Sequence, residues 1–322
     1  MAESYSVKIT GLGKYLPEQI VNNKTVEIDA GLTAGWCERE IGVRSRRWAD
    51  KLTQSEMAGA AANEAIAQAG LTELDLDLII NASSGFEKKV PDGGPLLQKQ
   101  LGYDHTGIPS LTIQSGFQSF ISALFVAVGL ISAGRYRNIL ISCSEILSAM
   151  LDPSNSEAYC LLGDGAGAIV LSACKENDQS HVLKMVQKTF FDGEFSISSK
   201  LGFTGIQKKV KSAKDIAIQM DLKRYRECST DYTGQVIEEL LENFSEEQLG
   251  AAILQYLPST NDSLLSRTTV INTITSSGLC GAASFPMALY DAVTDAKIHR
   301  GDYVLLAGTG DGFCVGGLLL QY

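Results

Sequence analysis

Apolar residues in this chain fall into two alternating patterns. Short runs of near-continuous hydrophobicity, Val7–Gly11, Leu76–Ala82, Ser110–Gln114, Asn138–Ser142 and Ala168–Leu171, have the length of buried strands. Between them, at about 53–70, 93–101 and 117–134, apolar positions recur at helical spacing. That alternation predicts an α/β fold with helices covering both faces of a sheet. The second half follows the same plan. Strands are expected at Ala252–Tyr256, Val270–Ile274, Tyr303–Ala307 and Cys314–Leu320, with helices near 230–244 and 280–296.

The two halves read as copies of one another. Leu111…Ser119-Phe120…Gly134…Ile139-Leu-Ile-Ser142 pairs with Ile271…Ser284-Phe285…Gly301…Val304-Leu-Leu-Ala307 at an offset of about 165 residues. Each copy runs on into a Gly-Asp-Gly motif, Gly163-Asp164-Gly165 in the first and Gly310-Asp311-Gly312 in the second. A duplicated chain predicts two sandwiched halves, 1–174 and 181–322, joined through the polar stretch Lys175–Ser180, with a site at their interface.

Composition narrows the function classes. The chain has 322 residues, 45% of them hydrophobic and 20% charged, enough for a large core without staples. No apolar run approaches the roughly 20 residues of a membrane span, and the N-terminus lacks a secretory pattern, so a cytoplasmic protein without membrane partners is expected. Seven scattered cysteines without CxxC spacing argue against disulfides and structural zinc, and no metal is expected. A net charge of −10 disfavours nucleic acid. Lys208, Lys209, Lys211, Lys214, Lys223, Arg224 and Arg226 run against that average and form either a solvated face or a surface for an acidic partner.

The candidate chemistry centres on Leu111–Phe120, a buried strand turning sharply into an apolar helix. A helix N-terminus at that turn favours a thiolate, because its free N–H groups carry partial positive charge. The residue at the turn is Phe117, which can neither ionise nor attack. Ser115 and Ser119 flank it as candidate replacement nucleophiles, each needing a base, and Cys280 stands at a predicted helix start as a third candidate. Only three histidines exist, His105, His181 and His299, and their places in loop, strand start and turn suit none of them to general-base catalysis.

With these motifs in place, the chain resembles the β-ketoacyl-acyl carrier protein synthase III family, which has the duplicated thiolase-like fold, an αβαβα layered sandwich of two pseudo-symmetric halves. The resemblance rests on Gly11-Leu-Gly-Lys-Tyr-Leu-Pro17, Trp36 followed by Ile41-Gly-Val-Arg-Ser-Arg-Arg47, Leu162-Gly-Asp-Gly-Ala-Gly167 and Gly281-Ala-Ala-Ser-Phe-Pro286, in order and nearly over the whole length. It implies a dimer. It also implies a catalytic Cys-His-Asn triad, whose positions fall here on Phe117, Gln255 and Leu279. Trp36 matches the family's adenine-stacking tryptophan, while arginines expected around the coenzyme A nucleotide appear as Glu40 and Ser156, so coenzyme A binding is expected to be poor and no cofactor is assigned. Asp311 replaces the middle glycine of the run that shapes the oxyanion site.

The reading that follows is an inactive subunit of a ketosynthase or acyltransferase complex. It would pair with an active homologue, or with itself, and shape the partner's pocket in fatty acyl or polyketide-type secondary metabolism, as the inactive subunits of alkylquinolone synthases and the chain-length factors of type II polyketide synthases do. The basic cluster is then a docking surface for acyl carrier protein. Two alternatives of other classes stand beside it: a stand-alone acyltransferase or thioester-processing enzyme using a non-standard site, and a ligand-binding scaffold.

Overall fold

A computed structural model describes residues 4–191, 197–199, 216–255, 264–272 and 274–322. In the first half the strands are β1 (Val7–Tyr15), β2 (Ile20–Asn22), β3 (Ser45–Arg47), β4 (Leu78–Asn81), β5 (Ser110–Thr112), β6 (Asn138–Glu145) and β7 (Gly165–Ala173). The second half supplies β8 (His181–Thr189), β9 (Ile197–Ser199), β10 (Ile218–Met220), β11 (Leu249–Gln255), β12 (Val270–Ile271), β13 (Tyr303–Thr309) and β14 (Cys314–Gln321). Strands β2 with β3, and β9 with β10, form two short antiparallel ribbons.

The remaining ten strands make two five-stranded sheets, ordered β1-β7-β6-β4-β5 and β8-β14-β13-β11-β12. In both, the first strand is antiparallel to the second and the second to the third, and the last three run parallel. The repeat seen in the sequence is therefore a repeat of topology. Helices Ser119–Ser132 and Ser284–Thr294 lie between the sheets, where Phe120, Ile121 and Leu124 share one core with Ile80 and Ile141 of the first sheet and Ile253 and Leu306 of the second. Gln54–Ala69 covers the outer face of the first sheet and Leu222–Leu240 that of the second, completing five layers. No helix among the described residues is long and apolar enough to cross a membrane.

Several expected boundaries shift. The helix expected from 117 begins at Ser119, leaving Phe117 in the turn before it. The helix expected near 230–244 spans Leu222–Leu240, because Leu222, Tyr225 and Ser229 extend its buried stripe backwards and Asp221 caps it, accepting from the Arg224 N–H at 2.9 Å. Ile274 opens a short helix, Ile274–Ser277, instead of ending a strand. The expected helix 280–296 divides into a tight turn, Gly281–Ala283, and the helix Ser284–Thr294. Tyr256, the expected end of β11, lies outside the described residues.

Close approach of the outer helix to β1 depends on small side chains. Ala58, Ala61, Ala62 and Ala65 form the buried face of Gln54–Ala69, and a Cβ added at Gly13 would sit 1.9 Å from the Ala61 carbonyl oxygen. Helix and strand would have to separate to admit it.

Two buried carboxylates fix the loops around the first sheet, and one of them also reaches the other half. Glu145, at the end of β6, is fully buried. It accepts from the Ser84 N–H at 2.7 Å and the Ser84 hydroxyl at 2.6 Å, and from the Ala282 N–H of the other half. Burial nevertheless pushes its carboxyl up to about 7, since these donors only partly offset the loss of water. Asp164 is held in the same manner by the Ala49 N–H at 2.7 Å and the Ser148 hydroxyl at 2.5 Å.

Two outcomes follow for stability. Gly13→Ala should cost about 2 kcal/mol or more in denaturant unfolding, and an unchanged midpoint would contradict the close packing. A carboxyl whose pKa is higher folded than unfolded destabilises the folded state as pH rises from its unfolded value, 4.5, through about 7. Between pH 5 and pH 8, Glu145→Gln should therefore gain about 3 kcal/mol relative to the parent chain, read by urea melts at each pH; parallel pH profiles would show that Glu145 titrates normally.

Candidate functional site

The turn Ser115–Gln118 links β5 to the central helix, and Gly116 turns it with a φ of +55° that favours glycine. Ser119 locks this turn: its hydroxyl donates to the Gly116 carbonyl at 2.6 Å and accepts from the Ser115 N–H at 2.8 Å. A hydroxyl committed in this way is a structural group. Ser115 takes part through its main chain, its carbonyl accepting from the Gln118 N–H at 3.1 Å.

Phe117 is only 5% exposed. Its N–H donates to Asp311 Oδ1 at 2.9 Å, and a Cβ added at Gly116 would meet that same oxygen at 1.7 Å. Asp311 follows β13 in a turn where Gly312 and Phe313 both have positive φ, +65° and +47°. Such backbone costs free energy for a phenylalanine, and the burial of Phe313 helps to hold it. The carboxylate thus occupies the N–H that would otherwise be free at the turn to meet an oxyanion.

Gln255 and Leu279 do come near Phe117. The Gln255 amide nitrogen donates to the Gly281 carbonyl at 2.5 Å, and a Cβ added at Gly281 would lie 3.0 Å from the Phe117 ring and 3.3 Å from the Glu145 carboxyl carbon. Leu279 is buried, its main chain bonded to Leu161 and Gly163, and shares an apolar cluster with Phe117, Met220, Leu222, Tyr225 and Phe313. Gln118 is fully buried, and among the described residues neither its amide atoms nor Gln255 Oε1 finds a hydrogen-bond partner. Orphaned polar groups of this kind are costly.

Cys280 is fully buried, and its thiol is pushed well above its ordinary value by burial and by the nearby charges of Asp164 and Glu145. The thiolate expected at this helix start is thus disfavoured. The histidines lie elsewhere: His105 beside Asp104 in an exposed loop, His181 at the start of β8, and His299 in the turn before β13.

Trp36 lines a surface hollow with Glu40, Glu157, Leu222, Lys223 and Arg226. Ser156 opens the helix Ser156–Leu161 beside it. The hollow is bridged at two points: Glu157 accepts from the Leu222 N–H at 2.6 Å, and the Arg226 guanidinium donates to the Glu40 carbonyl. Met220, Leu222 and Tyr225 pack in the same cluster as Phe117. Of the basic cluster, Arg226 faces this bridge and Lys223 pairs loosely with Glu227 at 3.9 Å, while Lys208, Lys209, Lys211 and Lys214 lie outside the described residues.

Sequence reasoning did not single out Glu145 or Tyr225. The repeat contained the signal for Glu145. Ala282 stands 165 residues after Phe117, and Asp311 stands 166 after Glu145. Glu145 ends β6 and Asp311 lies in the turn just after β13, and each receives the turn N–H of the opposite half.

The same constellation can be set beside known proteins. Residues 111–189 match the family model of 3-oxoacyl-[acyl-carrier-protein] synthase III, and residues 251–322 match the model of its C-terminal part. The chain is 30% identical over 325 residues to the β-ketoacyl-[acyl-carrier-protein] synthase III of Vesicomyosocius okutanii, with 98% of each covered. A similar relative from Aquifex aeolicus is 30% identical over 318 residues, covering 98% of this chain and 99% of the other. The crystal structure of 3-oxoacyl-[acyl-carrier-protein] synthase III from Aquifex aeolicus superposes with a TM-score of 0.88 at 28% identity, over 98% of this chain and all of that one. With its paired five-stranded sheets and a helix-start turn facing both halves, this chain belongs to the 3-oxoacyl-[acyl-carrier-protein] synthase III family.

Proposed function

We propose that this chain is a non-catalytic member of its condensing-enzyme family, which pairs with a catalytically competent homologue and shapes that partner's pocket. The observation that carries the reading is the 2.9 Å bond from the Phe117 N–H to the Asp311 carboxylate. A condensing enzyme needs a nucleophile at this turn and free donors to receive the developing oxyanion. Here the nucleophile is replaced by a buried ring, the donor is taken by an internal anion, and Gln255 spends its amide N–H on the Gly281 carbonyl.

Packing and charge support the same reading. Leu222 and Tyr225 share the Phe117 cluster, and the Trp36 hollow sets three carboxylates, Glu40, Glu157 and Glu227, against two cations, Lys223 and Arg226, a poor balance for a phosphate-bearing ligand. Fatty acyl or polyketide thioesters would be held by the partner or by an acyl carrier protein. Of the candidate docking residues, Lys223 remains the exposed one on Leu222–Leu240.

Incubated alone with a panel of acyl thioesters, the purified chain should give no stable acyl adduct by intact-protein mass spectrometry and no thiol release. Turnover above Phe117→Ala and Ser115→Ala controls would overturn the proposal in favour of a stand-alone acyltransferase. Co-expression with a homologue retaining cysteine, histidine and asparagine should yield a heterodimer whose product lengths differ from those of the homologue alone.

The block can also be tested at its two residues. Phe117→Cys should acylate slowly, and adding Asp311→Gly should raise that rate by about 10²-fold, the usual worth of one oxyanion donor. Equal rates in the single and double variants would remove Asp311 as the obstruction.

A further inference from the structure

A carboxylate without an ionic partner lies beside the Phe117 turn. Glu145 is 0% exposed, and the donors that reach it are all neutral. They are the Ser84 N–H at 2.7 Å, the Ser84 hydroxyl at 2.6 Å, the Gly85 N–H at 3.4 Å and the Ala282 N–H of the other half. Such donors replace only part of the hydration that a carboxylate loses on burial. The nearest ionisable groups bring no positive charge. Cys143, on β6, and Cys280, in the opposite turn, are fully buried thiols pushed up by burial and by the charge of Glu145. Asp164, which also acts on Cys280, is held by the Ala49 N–H and the Ser148 hydroxyl. On the neighbouring helix Gln54–Ala69, Glu56 is held by Thr53.

The cover over Glu145 is thin. Residues 84–92 run between β4 and the helix Gly93–Gln100 without forming a helix or strand. Ser84 and Gly85 are half-buried, while residues 88–92, Lys88 and Lys89 among them, are all exposed. A Cβ added at Gly85 would lie 3.8 Å from Glu145 Oε2, so one residue of half-buried main chain separates the carboxylate from solvent. Both ends of the segment are fixed. The Ser83 hydroxyl donates to Asn81 Oδ1 at 2.8 Å and accepts from the Ser144 N–H at 3.0 Å, and the Gly94 N–H donates to the Thr112 hydroxyl at 2.9 Å. Between those ends, side chains tie the segment down: Glu145 itself, Gln114 donating to the Ser84 carbonyl at 2.6 Å, and Glu87 accepting from the Ser55 N–H at 2.9 Å.

We propose that residues 84–92 form a strap that lifts from Glu145 as pH rises through neutrality, admitting water to the junction beside Phe117. Lifting hydrates the carboxylate, whose pKa then returns toward its ordinary 4.5 from the value of about 7 that burial gives it. A group that holds its proton more tightly with the strap down favours the closed form below pH 4.5, and that preference is lost as pH rises through about 7. Between pH 5 and pH 8 the ratio of lifted to closed forms should rise by up to about 70-fold. Gly281 connects this change to the turn, since a Cβ there would lie 3.3 Å from the Glu145 carboxyl carbon and 3.0 Å from the Phe117 ring. The device is independent of whether the chain turns over thioesters.

Hydrogen exchange of the full chain, corrected for the intrinsic pH dependence of amide exchange, reads the equilibrium directly. The Ser84 N–H should lose protection by tens of fold between pH 5 and pH 8 and should stay less protected than the Ile141 N–H in the core of β6. In Glu145→Gln, which keeps the shape and cannot ionise, Ser84 protection should be flat with pH. A second measure at one pH avoids any change in the probe: trypsin at pH 8 should cut after Lys88 and Lys89 at least tenfold faster in the parent chain than in Glu145→Gln. Ser84 protection that is independent of pH in the parent, or equal to that of Ile141, would overturn the proposal, as would equal cleavage of the two chains.

Discussion

Two carboxylates crossing between the halves set the geometry on which the centre of this molecule depends. Asp311, from the end of β13, receives the N–H of Phe117; Glu145, from the end of β6, receives the N–H of Ala282. Each turn precedes a central helix, and in each a serine one step further on closes the loop, Ser119 on the Ser115 N–H at 2.8 Å and Ser284 on the Cys280 N–H at 3.1 Å. The glycine before each turn residue, Gly116 and Gly281, has positive φ. The same joint is thus built twice, with the strand end of one half capping the helix entrance of the other.

The reciprocity gives the Phe117 site a physical meaning. An active site at such a junction needs one entrance left open, with a free N–H and a volume for substrate. At the first entrance the Phe117 ring is buried in the turn, and a carboxylate takes the turn N–H as Glu145 does at the second. Among the described residues, the Gln118 amide and Gln255 Oε1 have no hydrogen-bond partner, a costly arrangement in a core. The positive φ of Phe313 belongs to the same economy, since the turn that aims Asp311 inward is strained and is held by packing on both sides.

At the Trp36 hollow, Glu157 accepts from the N–H that starts Leu222–Leu240, and Arg226 reaches back to the Glu40 carbonyl, so these groups meet each other. Arg46 sits fully buried, its Nη2 donating to the Cys160 carbonyl and to Asn23 Oδ1. Buried ions are retained at a cost that such bonds offset.

Much of this was written in the chain. Hydrophobic periodicity defined the alternation of strands and helices, because burying apolar area is local in its pattern even when the partner is distant. The offset of about 165 residues implied matched halves, and Phe117 stood out because a phenylalanine at a strand-to-helix turn cannot supply the chemistry that turn favours. What the sequence could not decide were directions in space. Whether Asp311 faced solvent, its own turn or Phe117 depended on a left-handed turn whose dihedrals are selected by packing around Phe313. Helix Leu222–Leu240 was read as starting late because its first turns are polar, and only contact with Glu157 and the core shows that Leu222 and Tyr225 are buried. The ties of Glu145 are long-range contacts between distant segments. The sequence by itself determined which elements form and that they form twice; tertiary packing decided which side chains meet at the junction, because that depends on how two sheets clasp two helices rather than on any local preference.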